Sequence, residues 1–99
     1  MGTDERYNGW ANRETWAVSL YLNNDQTWQE DVLDRVSESG EDDPFRVGEI
    51  VREWVEETLC AAVAEGFADR DTRMAIMDMG SLWRVDWREV GASFLEDVS

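Results

Sequence analysis

The stretch Tyr7–Asp25, YNGWANRETWAVSLYLNND, decides how the rest of the chain is read. It holds two of the six Trp residues, both Tyr residues and the clearest punctuation. Asn8-Gly9 marks a turn, because both residue types tolerate positive φ. Asn12 suits an N-cap, its side-chain oxygen accepting from a free amide two or three residues on. Glu14 falls in the first turn, where a carboxylate complements the positive end of the helix dipole. Trp16, Ala17, Leu20 and Tyr21 come next as neighbours on one face, the face expected to be buried. Asn23-Asn24-Asp25 stops the run, so the expected helix covers residues 13–23. Trp16, Val18, Leu20 and Leu22 also alternate, which keeps a strand open as the competing form.

Beyond this stretch the same grammar repeats. Residues 1–6 are polar and expected to fray. Asp25 or Thr27 can cap a second helix over 28–38, with Trp28, Val32, Leu33 and Val36 as its buried stripe and Gly40 as its terminator. Asp43-Pro44 starts a third helix, because Pro at the first helical position gives up only an N–H that has no partner there anyway. That helix is expected to run over 44–65. Val47, Val51, Val55, Leu59, Ala62, Val63 and Phe67 form its stripe, Ile50 and Trp54 widen it, and Gly66 ends it. Asp71 or Thr72 can cap a fourth helix through Met79. Its Met74, Met77 and Met79 are expected to fill the core, although Met clusters also make adaptable binding surfaces. Residues 82–85 read as extended. Asp86 then caps a last helix over 87–98, with Glu89 placed for a capping box and with Trp87, Val90, Phe94 and Val98 facing inward. Gly91 allows another helix to approach closely. The economical architecture is all-α: a compact bundle of about five short helices in a single domain, residues 1–99. The alternative is α+β, with a small hairpin from residues 16–22 and 82–85.

Gly9-Trp10-x-Asn12-x-Glu14-Thr15-Trp16, with apolar residues and Asn24-Asp25 after it, resembles a signature of small uncharacterised proteins of phages, plasmids and haloarchaea. Trp87-Arg88-Glu89 is a weaker echo of it. The resemblance implies a mobile-element or accessory protein. It brings no activity, ligand or catalytic residue with it.

Charge is the sharpest compositional fact. Twenty-three acidic residues stand against nine Arg, with no His, for a net charge of −14. None of the basic residues is Lys. Self-repulsion on that scale costs stability at ordinary salt and is screened at molar salt, where the Debye length falls to about 3 Å. Acidity without Lys is the pattern expected of a salt-loving host. The acidic N-terminal stretch lacks an apolar export signal, no apolar run approaches a membrane span, and the lone Cys60 cannot form an internal disulfide. A cytoplasmic protein is expected.

Chemistry is constrained from the same counts. Without His, and with one Cys, a structural zinc site is excluded. No EF-hand, P-loop or dinucleotide glycine pattern is present. Nucleophilic catalysis lacks its usual base, and Cys60 reads as an inert thiol in a helix. No cofactor or metal is expected, and no catalysis. The acidic residues Asp31, Asp34 and Glu38, with Glu49, Glu53, Glu56 and Glu57, can array carboxylates about 6 Å apart on helical faces. That resembles the charge of a nucleic-acid strand and points to a protein-binding module that imitates DNA before a DNA-handling protein. Tyr7 and Trp10 form a second, aromatic binding candidate. Two alternatives stand beside this: a small enzyme using carboxylates alone, and a single-strand binder through Trp83, Arg84, Trp87 and Arg88.

Overall fold

Each of the five rods among the described residues starts at a side chain that accepts from a backbone amide two or three residues on. In a computed structural model describing residues 9–80 and 82–98, Asn12 Oδ1 accepts from Thr15 N at 2.8 Å and opens α1, Arg13–Asn24. Asp25, rather than Thr27, accepts from Trp28 N and opens α2, Gln26–Ser39. Asp43 accepts from Phe45 N, and Pro44 occupies the first turn of α3, Pro44–Trp54. The long third helix does not stop at Trp54. It continues through a π-helical segment, Val55–Cys60, into α4, Ala61–Glu65, so that residues 44–65 form one rod as the periodicity implies. Asp69 caps α5, Arg70–Met79, through Thr72 N, a little earlier than the expected Asp71 or Thr72. Asp86 accepts from Glu89 N at the head of α6, Trp87–Val98.

Gly66 ends the long rod at φ 80°, and both Phe67 N and Ala68 N donate to Ala62 O. The wider π turn rotates the residues beyond it relative to an α-helical stripe. Val47, Val51, Trp54, Val55 and Leu59 are buried, but Ala62 and Val63 are only half-buried and Phe67 is 83% exposed.

Residues 82–84 are a short 3-10 turn, not a strand. Residues 16–22 are helical, and no strand occurs among the described residues, so the hairpin alternative does not form. The protein is all-α, with five rods among the described residues around one buried cluster. Trp54 and Phe94 are its largest fully buried side chains. Trp54 meets Trp28 edge-on, with ring centroids 6.3 Å apart, and donates its indole N–H to Asp31 Oδ2 at 2.7 Å. Burial therefore leaves the indole nitrogen satisfied.

The helices cross at glycines. A Cβ on Gly91 would stand 2.4 Å from both Gly48 N and Pro44 O, and one on Gly48 would stand 2.2 Å from Trp87 O. Two missing side chains thus let the first turns of α3 and α6 touch backbone to backbone. This is the close approach expected at Gly91.

Two other expectations are corrected. The inward face of α1 is Thr15, Val18, Ser19 and Leu22, joined by Ala17, not Trp16, Leu20 and Tyr21. Leu20 is exposed, while Trp16 and Tyr21 are half-buried. The helix is turned by polar contacts at its N-terminus and by Tyr21 reaching Asp78, and these outweigh a modest gain from burying Leu20. Among the three methionines of α5, Met79 alone is buried; Met74 and Met77 are 54% and 80% exposed.

Candidate functional site

The signature segment forms a clasp rather than a pocket. Thr15 Oγ1 donates to Asn12 Oδ1 at 2.6 Å and accepts from Asp86 N at 2.8 Å. Asn12 Nδ2 donates to Arg84 O at 2.8 Å. Ala11 N donates to Glu89 Oε1 at 2.7 Å. Arg84 lies 3.9 Å from Glu14. The expected capping box at α6 is therefore split. Its cap amide goes to Thr15, and Glu89 reaches Ala11. These polar groups at the head of α6 are satisfied by the head of α1, as groups removed from water must be. Sequence reasoning missed this because the partners lie 71 to 78 positions apart.

The acidic residues are exposed, and the structure divides them. Glu49 and Glu53 meet Glu41 and Asp43 around a depression of about 520 Å³ at the start of α3, with Arg46 as the one cation in its lining. Arg46 is 3.8 Å from Glu41. Asp31 and Glu57 belong to the seam between α2 and the long rod: Asp31 holds the Trp54 indole, and Arg35 donates to Glu57 at 3.1 Å. Glu56 faces Arg52 at 3.7 Å, one turn away. Asp34 and Glu38 are exposed one turn apart on α2. Among the described residues, no group of three or more Cys, Asp and Glu is arranged to hold a metal ion.

The aromatic candidates also separate. Tyr7 lies outside the described residues. Trp10 is half-buried and lines a shallow depression with Glu89, Ala92, Ser93 and Glu96, so it sits against α6. Trp83 is 82% exposed, whereas Trp87 is half-buried against the core. Both line a depression of about 320 Å³ with Phe45, Arg52 and Arg88. Arg84 is not part of it; it turns towards Glu14.

A further surface lies between α1 and α5. Tyr21 and Met74 line two adjoining depressions of about 300 and 380 Å³, completed by Trp28, Asp25 and Asp71 on one side and by Met77 and Asp78 on the other. Tyr21 donates its hydroxyl to Asp78 Oδ2 at 2.7 Å, and Arg13 reaches Asp78 Oδ1 at 3.0 Å. The phenol's hydrogen bond, with Arg13 beside it, holds the Asp78 carboxyl below the usual carboxylate range. The same bond pushes the Tyr21 phenol up. The methionine pair was the available signal for this surface.

Cys60 closes the π segment, half-buried. Burial, and then Glu56, pushes its thiol up, away from the reactive thiolate. No helix among the described residues is long and apolar enough to cross a membrane.

No curated protein and no solved structure matches the chain. The profile of one family does, over residues 3–65, which takes in the signature segment, α2 and the whole long rod. With more than half its length matched, the chain belongs to DUF7249, a family of unknown function.

Proposed function

We propose that the protein is a non-catalytic accessory module of mobile-element or haloarchaeal origin, working in the cytoplasm. Its acidic helical surface imitates nucleic acid towards a DNA-handling protein. The observation that carries this reading is the groove at the start of α3, where Glu41, Asp43, Glu49 and Glu53 converge around a single Arg. A groove of clustered carboxylates draws a basic, phosphate-binding surface by complementary potential. Two capped helices joined by the Asp31–Trp54 bond hold that surface in place. The same acidity suits a very salty cytoplasm, where water and counterions stay organised around carboxylates. The chemistry of the remaining groups supports a binding role: the one thiol is pushed up, and no His is available as a base.

The test is capture from the source cells at about 0.15 M salt. The expected result is a DNA-handling protein that duplex DNA displaces and that a Glu49→Gln/Glu53→Gln variant fails to retain. Capture that ignores both DNA and the substitutions sinks the reading.

One observation favours a second reading. Trp83 stands open beside Phe45, Arg52 and Arg88, an aromatic and cationic arrangement on which unpaired bases stack, although Glu49 and Asp86 share the lining. Quenching of Trp fluorescence by oligothymidylate, lost in Trp83→Ala, would support single-strand binding. The charge of −14 opposes it at low salt.

A further inference from the structure

The α1–α5 surface differs from the acidic groove in chemistry as well as in place. Its floor is apolar. Met74 and Met77 project from successive turns of α5, at 54% and 80% exposure, and Tyr21 and Trp28 stand alongside. Its rim is acidic: Asp25 and Asp71 edge one depression and Asp78 the other. Among the described residues no cation lines either depression, and the nearby Arg13 is already bound to Asp78. Unbranched thioethers repack around differently shaped partners at little cost, which is why they recur on surfaces that accept helices.

We propose that this groove, floored by Tyr21, Trp28, Met74 and Met77, is the docking site for a basic amphipathic helix of a partner protein. Such a helix carries apolar residues at i, i+3, i+4 and i+7, which would lie on the apolar floor. Its flanking Lys or Arg residues meet Asp71 and Asp25, since Asp78 is taken by Arg13 and Tyr21. Nucleic acid would bring phosphates against those same carboxylates. A second copy of this chain would bring like against like across a two-fold axis, since both partners would present the same rim. The charge pattern therefore selects a cationic occupant. The site shares none of the residues that carry the nucleic-acid-like groove, so either can fail without the other.

The probe is a labelled Leu/Lys peptide of roughly 18 residues with Leu at helical spacing, long enough to hold a helix once bound. It is titrated against the full chain by fluorescence anisotropy. A peptide of the same composition with Leu scrambled should bind about tenfold more weakly, because it cannot place its apolar groups on one face. Met74→Ser/Met77→Ser should lower affinity for the amphipathic peptide by about tenfold or more. Met77→Gln alone, at the most exposed position, provides the same reading in a chain whose core is untouched. Asp71→Asn should weaken binding about threefold, and the loss should shrink as salt is added. Glu49→Gln/Glu53→Gln should leave peptide affinity unchanged. Equal binding of the scrambled peptide, unaltered binding by the Met variants, or loss with the Glu variants would overturn the proposal. So would a stable dimer in which Met77 becomes protected from oxidation.

Discussion

At the scale of single residues, the hydroxyl of Thr15 carries the most weight. It serves Asn12 and Asp86 at once, in a fully buried position. Thr15→Val keeps the shape and removes both bonds, so urea unfolding should show a loss of about 1–3 kcal/mol, and Thr15→Ser should recover much of it. Ser19 should behave oppositely. Its hydroxyl is buried with no hydrogen-bond partner among the described residues, so Ser19→Ala should be neutral or should stabilise by up to about 1 kcal/mol. A clear loss would mean that the hydroxyl has a partner after all. The Tyr21–Asp78 pair gives a pH signature. The folded pKa of Asp78 is depressed, so its contribution is present above the unfolded value and disappears as pH falls through the folded one. The folded pKa of Tyr21 is raised, so its contribution is present below the unfolded phenol value and disappears as pH rises through the folded one. Asp78→Asn should flatten the acid limb of a melting-versus-pH curve. The cap at Asn12 was legible in the sequence because cap and amide are three residues apart. The bond from Asp86 N to Thr15 was not, because only packing brings α1 and α6 together.

At the scale of elements, the crossing of α3 and α6 is the most exacting contact. In an isolated helix, replacing Gly by Ala gains up to about 1 kcal/mol. Here a methyl on Gly48 or Gly91 would strike backbone atoms that cannot rotate away. Gly91→Ala should therefore destabilise by about 3 kcal/mol, which lowers the melting temperature by about 10–20 °C in a domain of this size. A rise in melting temperature would mean that the two helices do not touch there. The third helix shows what periodicity can and cannot carry. Its stripe through Val47, Val51, Val55 and Leu59 was readable and is buried. The π turn was not, since VEETLC contains no Gly or Pro to announce it, and Phe67 falls outside the stripe because the chain turns away at Gly66. The head of α6 teaches the same lesson. Asp86 and Glu89 have the spacing of a capping box, and Asp86 does accept from Glu89 N, yet tertiary partners take the place of the return bond.

At the scale of the whole molecule, the chain folds to a radius of gyration of 13.4 Å, close to the ~13 Å expected for about 100 residues. Twenty-three carboxylates on so small a body repel one another, and the Arg–carboxylate contacts among the described residues offset little, at about 0–1 kcal/mol each. Melting temperature should therefore climb with KCl up to molar concentrations, and a flat response would remove salt adaptation as the source of the acidity. The helical periodicity, the caps at Asn12, Asp43 and Asp86, the terminators Gly40 and Gly66, and the charge of the surface were all determined by the sequence by itself. These depend on side chains and amides within a few residues of one another, or on a simple count. Which face of α1 turns inward, how its head locks onto α6, and that Met74, Met77 and Trp83 stand open to water were decided only by the tertiary structure. An apolar stripe records that a surface can be buried, but whether another element arrives to cover it depends on how every other helix has packed.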